Sequence, residues 1–365
     1  MSYIAVLPGD GIGAEVINES LKVLNAVEQI SGKKYEIRKG DVGGGAYDKY
    51  GDPLPSQTME LIENCNSVLF GAVGGPKWDN LDPELRPEMG ILKIRKKLDL
   101  YANLRPVKIF DSLKESSPLK YQLLEDVEIL IIRELTSGLY FGEPKTTYND
   151  SSERSAVDTM FYKESEITRI LELAFKISQS NKLKLTSVDK ANVLETSRLW
   201  RKIADELSVN YPDVQCNHML VDNAAMQLIT NPKQFNVIVS ENTFGDILTD
   251  EASVLSSSLG MLPSASISFI PGESNLNKKS LYEPIHGSAP DIAGLGIANP
   301  IGMILSTAMM IEYSYNEKEI SKIITDSVEK VINDGLRTKD ITDSGKFCST
   351  SEMGDAIYNQ ILLLG

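Results

Sequence analysis

The sequence predicts an α/β protein with a substantially parallel sheet, organised as two lobes. Two observations carry that expectation. Short apolar runs alternate with longer helical patterns along the chain, and 365 residues suggest two domains or lobes rather than one. A strand at Tyr3–Leu7 leads through the turn Gly9-Asp10-Gly11-Ile12-Gly13-Ala14 into a helix over Ile12–Ile30. Val68–Ala72 reads as a strand, Ile91–Leu98 as a helix and Val127–Ile132 as a strand. From about residue 139 to 162 the texture changes to Gly, Thr, Tyr, Asn and Ser with irregular apolar placement. That texture predicts hairpins or an extended arm, which packs on its parent domain or on a second subunit. Glu164–Gln179 and Ile320–Ile332 are amphipathic helices, and Leu-Thr-Ser-Val-Asp at 185–189 is a strand. No internal repeat, low-complexity tract or long linker appears, so short crossings join the lobes.

The bulk numbers exclude several classes. The 51 acidic and 37 basic residues give a formal charge of −14, which argues against a nucleic-acid-binding surface. Cys65, Cys216 and Cys348 show no metal-ligand spacing and no disulfide framework. The N-terminus lacks a basic leader region, and the apolar run around Gly302–Ile311 is too short to span a bilayer. A soluble, cytoplasmic protein is expected.

Chemistry concentrates in a few places. Asp246 and Asp250 stand four residues apart at the start of a helix and share one face. Two such carboxylates suit a hard octahedral cation such as magnesium; the alternative is a solvated acidic first turn. Arg95, Arg105 and Arg133 could grip a di- or tricarboxylate through their guanidinium forks, or could form three separate salt bridges. Arg133 closes the strand Ile-Leu-Ile-Ile-Arg and needs an anion there. Lys190 follows a strand, where open α/β sheets place their active sites, and desolvation beside other cations makes a lysine a general base. Tyr140 is a candidate general acid or a packing residue, and Asp222 sits at a helix start where a capping role is the alternative. Residues 283–299 form a long loop with few packing residues, which implies a ligand. His286 lies on it; the other histidine, His218, reads as structural. The first turn matches the G-x-G-x-x-A dinucleotide fingerprint, but Glu36 or Asp41 offers only loosely the acidic residue that should follow.

Taken together, these segments resemble the β-decarboxylating isocitrate/isopropylmalate dehydrogenase family. The resemblance runs end to end, through Leu-Pro-Gly-Asp-Gly-Ile-Gly (7–13), Gly-Gly-Pro-Lys-Trp-Asp (74–79), Asn-Leu-Arg-Pro (103–106), Leu-Tyr-Phe-Gly-Glu-Pro (139–144) and 242–253. It implies a two-lobed fold that is not a true Rossmann domain, with 1–100 plus 257–365 as the cofactor lobe. Residues 101–256 form the substrate and dimerisation lobe, its arm joining two subunits. Asp246 and Asp250, with Asp222 of a second copy, are the implied ligands of Mg2+ or Mn2+. Tyr140 and Lys190, the latter aided by Asp222 and also reaching across from the second copy, are the implied proton-transfer residues. Arg95, Arg105 and Arg133 with Glu88, Ile91, Leu92 and Val193 are the implied substrate site. Gly75, Glu88, His286, Gly287, Ser288, Ala289, Asp291, Ile292 and Asn299 are the implied cofactor site.

The implied activity is NAD-dependent oxidative decarboxylation of 3-isopropylmalate to 4-methyl-2-oxopentanoate in leucine biosynthesis, by a homodimer with shared active sites. Members that read isocitrate carry serine and asparagine where this chain has Met89 and Ile91; an apolar pocket suits an alkylmalate. Asp291 followed by Ile292 favours NAD over NADP. The competing readings are a dehydrogenase of another 2-hydroxy diacid (isocitrate, homoisocitrate or tartrate type) and a non-catalytic regulatory paralogue. Ala14 and Leu295, where proline and lysine are usual, lie outside the proposed chemistry.

Overall fold

A computed structural model describes residues 3–149, 153–273, 279–342 and 345–365. The chain divides into two compact units: Met1–Leu100 with Lys108–Tyr121 and Ser253–Gly365, and Tyr101–Val107 with Gln122–Ala252. The expected boundary differs in two places. Residues 108–121 and 253–256, expected with the second lobe, belong to the first unit.

In the first unit the strands run in the order Ile37–Lys39, Ile4–Gly9, Ser67–Ala72, Ser280–Pro284, Pro263–Ile267. The first four pair in parallel and the last pair is antiparallel. The Ile301–Tyr313 helix packs on this sheet and on the Gly13–Ser31 helix. Ten of its residues are buried, which explains an apolar run with little polar periodicity. Each large apolar side chain buried in this way contributes about 1.5–3 kcal/mol. Among the described residues no helix is long and apolar enough to cross a membrane.

The glycine-rich turn after the first strand is spent on backbone packing. Gly11 has φ +56°, and a Cβ there would lie 1.9 Å from the Ser288 carbonyl oxygen. Its neighbour Ile12 donates its N–H to the same oxygen at 2.8 Å. The Asp10 carboxylate accepts the N–H groups of Gly44 and Gly45, both at 2.8 Å, and of Gly74 at 2.9 Å. Sequence motif and dinucleotide cradle therefore part company here: the turn clamps other loops of its own unit.

In the second unit the strands run Ala102–Lys108, Glu128–Glu134, Val237–Ser240, Leu185–Asp189, Cys216–Leu220. Val237–Ser240 pairs in parallel with Glu128–Glu134 and with Leu185–Asp189, and the latter pairs in parallel with Cys216–Leu220. Their carboxyl ends therefore open on one edge. Ser240 stands beside Arg133 and Val188, and Asp189 beside Leu220. The helices Glu164–Asn181 and Glu195–Ser208 pack on each other and on this sheet. The expected arm contains an antiparallel hairpin, Thr146–Asn149 with Arg154–Val157, exposed along nearly its whole length. Residues 150–152 of the arm lie outside the described residues.

The Ser288 contact makes a stability prediction. Gly32 has φ +68° with nothing within 4 Å of an added Cβ, so Gly32→Ala should cost only the left-handed penalty of about 1–2 kcal/mol. Gly11→Ala carries the same penalty plus the clash, and should lose at least about 1 kcal/mol more. Urea unfolding of both variants checks this; equal losses would mean that the 9–13 turn does not hold the 288 segment.

Candidate active site

The second unit gathers charge at the ends of its parallel strands. Arg133 closes Glu128–Glu134 with only 3% of its side chain exposed. Its Nη1 donates to Asp246 Oδ1, and its Nε and Nη2 both donate to Asn242 Oδ1, at 3.0 and 2.8 Å. Asp246 and Asp250 lie on the Asn242–Ser253 helix that follows the neighbouring strand. Arg105, on Ala102–Lys108, brings its Nη1 to 3.6 Å from Asp246 and 4.0 Å from Asp250. Its Nε donates to Asn103 at 2.5 Å. Tyr140, at the end of the short Gly138–Tyr140 turn, donates to Asp246 Oδ2 at 3.0 Å. Three of the expected site residues, Arg105, Arg133 and Tyr140, thus converge on the carboxylate of a fourth, Asp246.

The electrostatics follow from this crowding. Burial and then the Asp246 carboxylate push the Tyr140 phenol above its ordinary value, so the proton stays on it. Burial also pushes the Asp250 carboxyl up, against the pull of Arg105, with Asp246 adding repulsion. Two oxygen-only side chains at this spacing fit a hard divalent cation. Among the described residues of one chain, however, no three His, Cys, Asp or Glu side chains group to hold an ion.

Lys190 and Asp222 form a separate pair in the same unit. Lys190 follows Leu185–Asp189, Asp222 lies in the first turn of Val221–Thr230, and Nζ meets Oδ1 at 2.6 Å. The hydrogen bond from Lys190 holds the Asp222 carboxyl below its ordinary range. The capping alternative for Asp222 has no support, because Leu220 occupies the cap position and no side chain caps that helix. His218 bonds Asp205 at 2.8 Å, in keeping with a structural role.

Beneath the arginine lies a buried polar layer that the sequence did not announce. Tyr162 Oη is 3.2 Å from Glu134 and 3.3 Å from Glu241, and accepts the Asn242 backbone N–H at 3.0 Å. Glu241 caps the metal-candidate helix through the N–H groups of Thr243 and Phe244, at 3.1 and 2.7 Å. Burial pushes both Glu134 and Glu241 up, despite these backbone donors.

In the first unit the long loop begins after Pro284, which still belongs to a strand. It is pinned along its length. Besides Ser288, Gly294 donates to Glu15 at 2.6 Å, and Thr350 bonds the Gly296 and Ala298 carbonyls at 2.9 and 2.6 Å. Ala289 is held at φ +39°, an unusual conformation for a side-chain-bearing residue. Gly287 and Asp291 stay exposed and Ile292 half-buried. The Nδ1 of His286 engages the Gly287 carbonyl at 2.9 Å, while its Nε2 is buried with no partner among the described residues. Burial holds that imidazole below its ordinary value, so Nε2 is a free acceptor. Gly74, next to Gly75, is crowded by Glu88, whose Oε1 would lie 2.8 Å from an added Cβ. A pinned loop with one orphaned acceptor is a fitting cradle for a nucleotide.

Three expected residues are differently employed. Arg95 lies in the first unit, where its Nη2 donates to Glu283 at 2.8 Å, so the chain itself supplies its anion. Ile91 is 7% exposed and belongs to the hydrophobic core; Met89 and Leu92 are the half-buried apolar residues beside it, and Val193 is exposed in the other unit. Asn299 receives the Ile301 N–H at 3.0 Å and donates to Asp340 at 3.0 Å, which spends its amide inside the protein. Asp10, Asn242, Glu241, Glu283 and Asp340 were missed. Each is a single polar residue that no periodicity signals, and each has at least one partner far away in sequence.

Residues 3–357 match the family model described as isocitrate/isopropylmalate dehydrogenase. The chain belongs to the isocitrate/isopropylmalate dehydrogenase family. It is 52% identical over 359 residues to the 3-isopropylmalate dehydrogenase of Aquifex aeolicus, covering 98% of this chain and 96% of that one. It is 54% identical over 361 residues to the 3-isopropylmalate dehydrogenase of Carboxydothermus hydrogenoformans, covering 98% and 94%. Among solved structures it is similar to isocitrate dehydrogenase from Methylococcus capsulatus, with a TM-score of 0.86, 32% identity and coverage of 99% and 100%. A β-decarboxylating dehydrogenase from Thermococcus kodakarensis gives 0.78, 33% identity and coverage of 100% and 97%. The expected fold, a dehydrogenase fold of this family rather than a Rossmann domain, is therefore the fold of this chain.

The buried layer predicts how this dehydrogenase responds to pH. A carboxyl raised in the folded state stabilises below its unfolded value, and that contribution is lost as pH rises through the folded value. Glu241→Gln keeps an acceptor for the helix cap and removes the ionisation. Its melting temperature should approach that of the unmodified chain near about pH 4 and fall less steeply toward about pH 8. Identical slopes would mean that burial does not raise the Glu241 carboxyl above its unfolded value.

Proposed function

We propose that this chain catalyses the NAD-dependent oxidative decarboxylation of 3-isopropylmalate to 4-methyl-2-oxopentanoate, a step of leucine biosynthesis. The observation that carries the reading is the convergence of Arg105, Arg133 and Tyr140 on Asp246 at the strand ends. Relatives named 3-isopropylmalate dehydrogenase, at 52% and 54% identity over nearly the whole chain, support it. Asp246 and Asp250, with Asp222 of a second copy, would hold Mg2+ or Mn2+, which supplies Lewis acidity toward the substrate's hydroxyl and carboxylate, while bound NAD accepts a hydride. Arg105 and Arg133 grip the malate carboxylates as bidentate forks, and Arg95, which rests on Glu283 in the free chain, is proposed as a third carboxylate ligand. Lys190 of that second copy, steadied by its own Asp222, takes the hydroxyl proton as the carbinol carbon gives up hydride. The carbon–carbon bond to the neighbouring carboxylate then breaks, releasing carbon dioxide. Tyr140, which keeps its proton, returns one to the carbon left behind.

Leu92, with Met89, walls the isopropyl group, Ile91 backs that wall from the core, and Val193 of a second copy adds to it. A carboxylate in such a wall would be desolvated without a partner. Gly75, Glu88, His286, Gly287, Ser288, Ala289, Asp291 and Ile292 form the NAD cradle, and Asn299 holds its base in place. The exposed hairpin supports a homodimer, since an isolated two-stranded ribbon is marginal alone. Exposed Met226, Ile247, Phe161 and Val193 in the same unit support it too. The protein works in the cytoplasm on a small molecule, without nucleic acid or membrane.

The test is formation of reduced nicotinamide from NAD with magnesium and a panel of 2-hydroxy acids. 3-Isopropylmalate should be turned over best, with other alkylmalates weaker by about 1–3 kcal/mol per methylene. Isocitrate used as well as 3-isopropylmalate would overturn the substrate assignment. Asp246→Asn should abolish turnover while circular dichroism stays native; near-native rates at saturating magnesium would remove the metal role.

Cofactor choice gives a second expectation. The exposed Asp291 carboxylate can accept hydrogen bonds from both ribose hydroxyls and repels the extra phosphate of NADP. The kcat/KM ratio should therefore favour NAD strongly, and Asp291→Lys with Ile292→Tyr should move it toward NADP. A ratio near one in the unmodified chain would mean that Asp291 faces elsewhere.

A further inference from the structure

We propose that Asn242 is a positioning residue, which with Gly245 sets the direction in which Arg133 presents its guanidinium to substrate. The proposal rests on the reading of Arg133 as a substrate-carboxylate ligand. It goes beyond that reading in naming what makes the arginine point where it does.

An arginine has four side-chain torsions, and binding is costly when they must be ordered at the moment of contact. Asn242 removes that freedom. Its Oδ1 accepts from Nε and Nη2, at 3.0 and 2.8 Å, so two donors on one edge of the guanidinium meet a single oxygen. This fixes both the plane and the rotation of the group, and directs Nη1 to Asp246. The amide can face only one way. Its Nδ2 donates to the Ser137 carbonyl at 2.9 Å, and a flip would set NH2 against guanidinium and oxygen against oxygen. The Ser137 bond also ties down the start of the turn that carries Tyr140. Asn242 itself is fully buried, and its backbone N–H rests on Tyr162.

Gly245 completes the seat. A Cβ at this position would lie 2.8 Å from both Cβ and Cγ of Arg133, so the arginine stem lies directly against the helix. Residues 242, 245 and 246 are at i, i+3 and i+4 and share one helical face. That face grips the stem through Gly245, the inner edge through Asn242 and the outer edge through Asp246. An amide suits the inner position because it accepts two hydrogen bonds without cancelling the charge that an anionic substrate must find. Substrate-binding cation and metal-candidate carboxylates are thereby indexed to one rigid element.

The test is a double-mutant cycle with Arg133→Lys, since a lysine cannot make the two-donor contact. Asn242→Ala should raise KM for 3-isopropylmalate about tenfold or more, with KM for NAD unchanged. On the Arg133→Lys background it should add less than about twofold. Gly245→Ala displaces the stem, breaks no hydrogen bond and favours the helix, so it should likewise raise KM for 3-isopropylmalate with KM for NAD unchanged; it serves if Asn242→Ala does not fold. An unchanged KM for 3-isopropylmalate, or an effect of equal size on both backgrounds, would overturn the proposal and leave Asn242 as packing. Arg133→Lys without any change in that KM would instead overturn the assignment of Arg133 itself, and the proposal with it.

Discussion

A guanidinium almost completely withdrawn from water, at the end of a buried strand, is the constraint on which the rest of this site depends. Arg133 is 3% exposed, and a charge so placed persists only where its partners are complete. The partners come from one helix, through Asn242 and Asp246, and the stem fits because residue 245 has no side chain to collide with it. The helix is held in turn by Glu241 at its first N–H groups and by Tyr162 beneath. The cation that holds Asp246 is also the one the proposed substrate must engage.

Parallel pairing explains why these groups meet at all. Strands Glu128–Glu134, Val237–Ser240, Leu185–Asp189 and Cys216–Leu220 run the same way, so their carboxyl ends share an edge. Arg133, the helix bearing Asp246, Lys190 and the helix bearing Asp222 each follow or close one of those ends. Open α/β sheets use this edge because the next segment has left the sheet there, and side chains can turn toward a ligand. The other unit solves a different problem with less charge. Asp10 gathers three glycine N–H groups, the 9–13 turn lies against Ser288, and Asp340 holds Asn299, so the loop after Pro284 is preorganised.

The buried layer of Glu134, Tyr162 and Glu241 shows what this arrangement costs. One phenol serves two carboxyls, and burial raises both. Such a layer stabilises only with its hydrogen bonds complete. Here the backbone of Thr136, Ser137, Thr243 and Phe244 supplies the donors. The layer thereby stiffens the segment before Tyr140 and the start of the Asn242–Ser253 helix together.

Much of this was legible in the chain. Alternating apolar runs predicted the strands and helices, because burial imposes a period on each. The four-residue step from Asp246 to Asp250 predicted a shared face, because the α-helix imposes it. Arg133 at the end of an apolar strand predicted a buried anion, because an unpaired charge there is not tolerated. What the chain could not state was which partner each polar group would find. Arg95 was open between substrate and salt bridge, and Glu283, 188 positions away, took it. Ile91 looked like a pocket wall and joined the core, and the dinucleotide-like turn became a clamp on Ser288. Asn242 carried no signal, since one asparagine at a helix start fits any number of turns. Periodicity and charge are local properties and can be read locally; hydrogen-bond partners separated by a hundred residues are chosen only when the sheet brings their strands side by side.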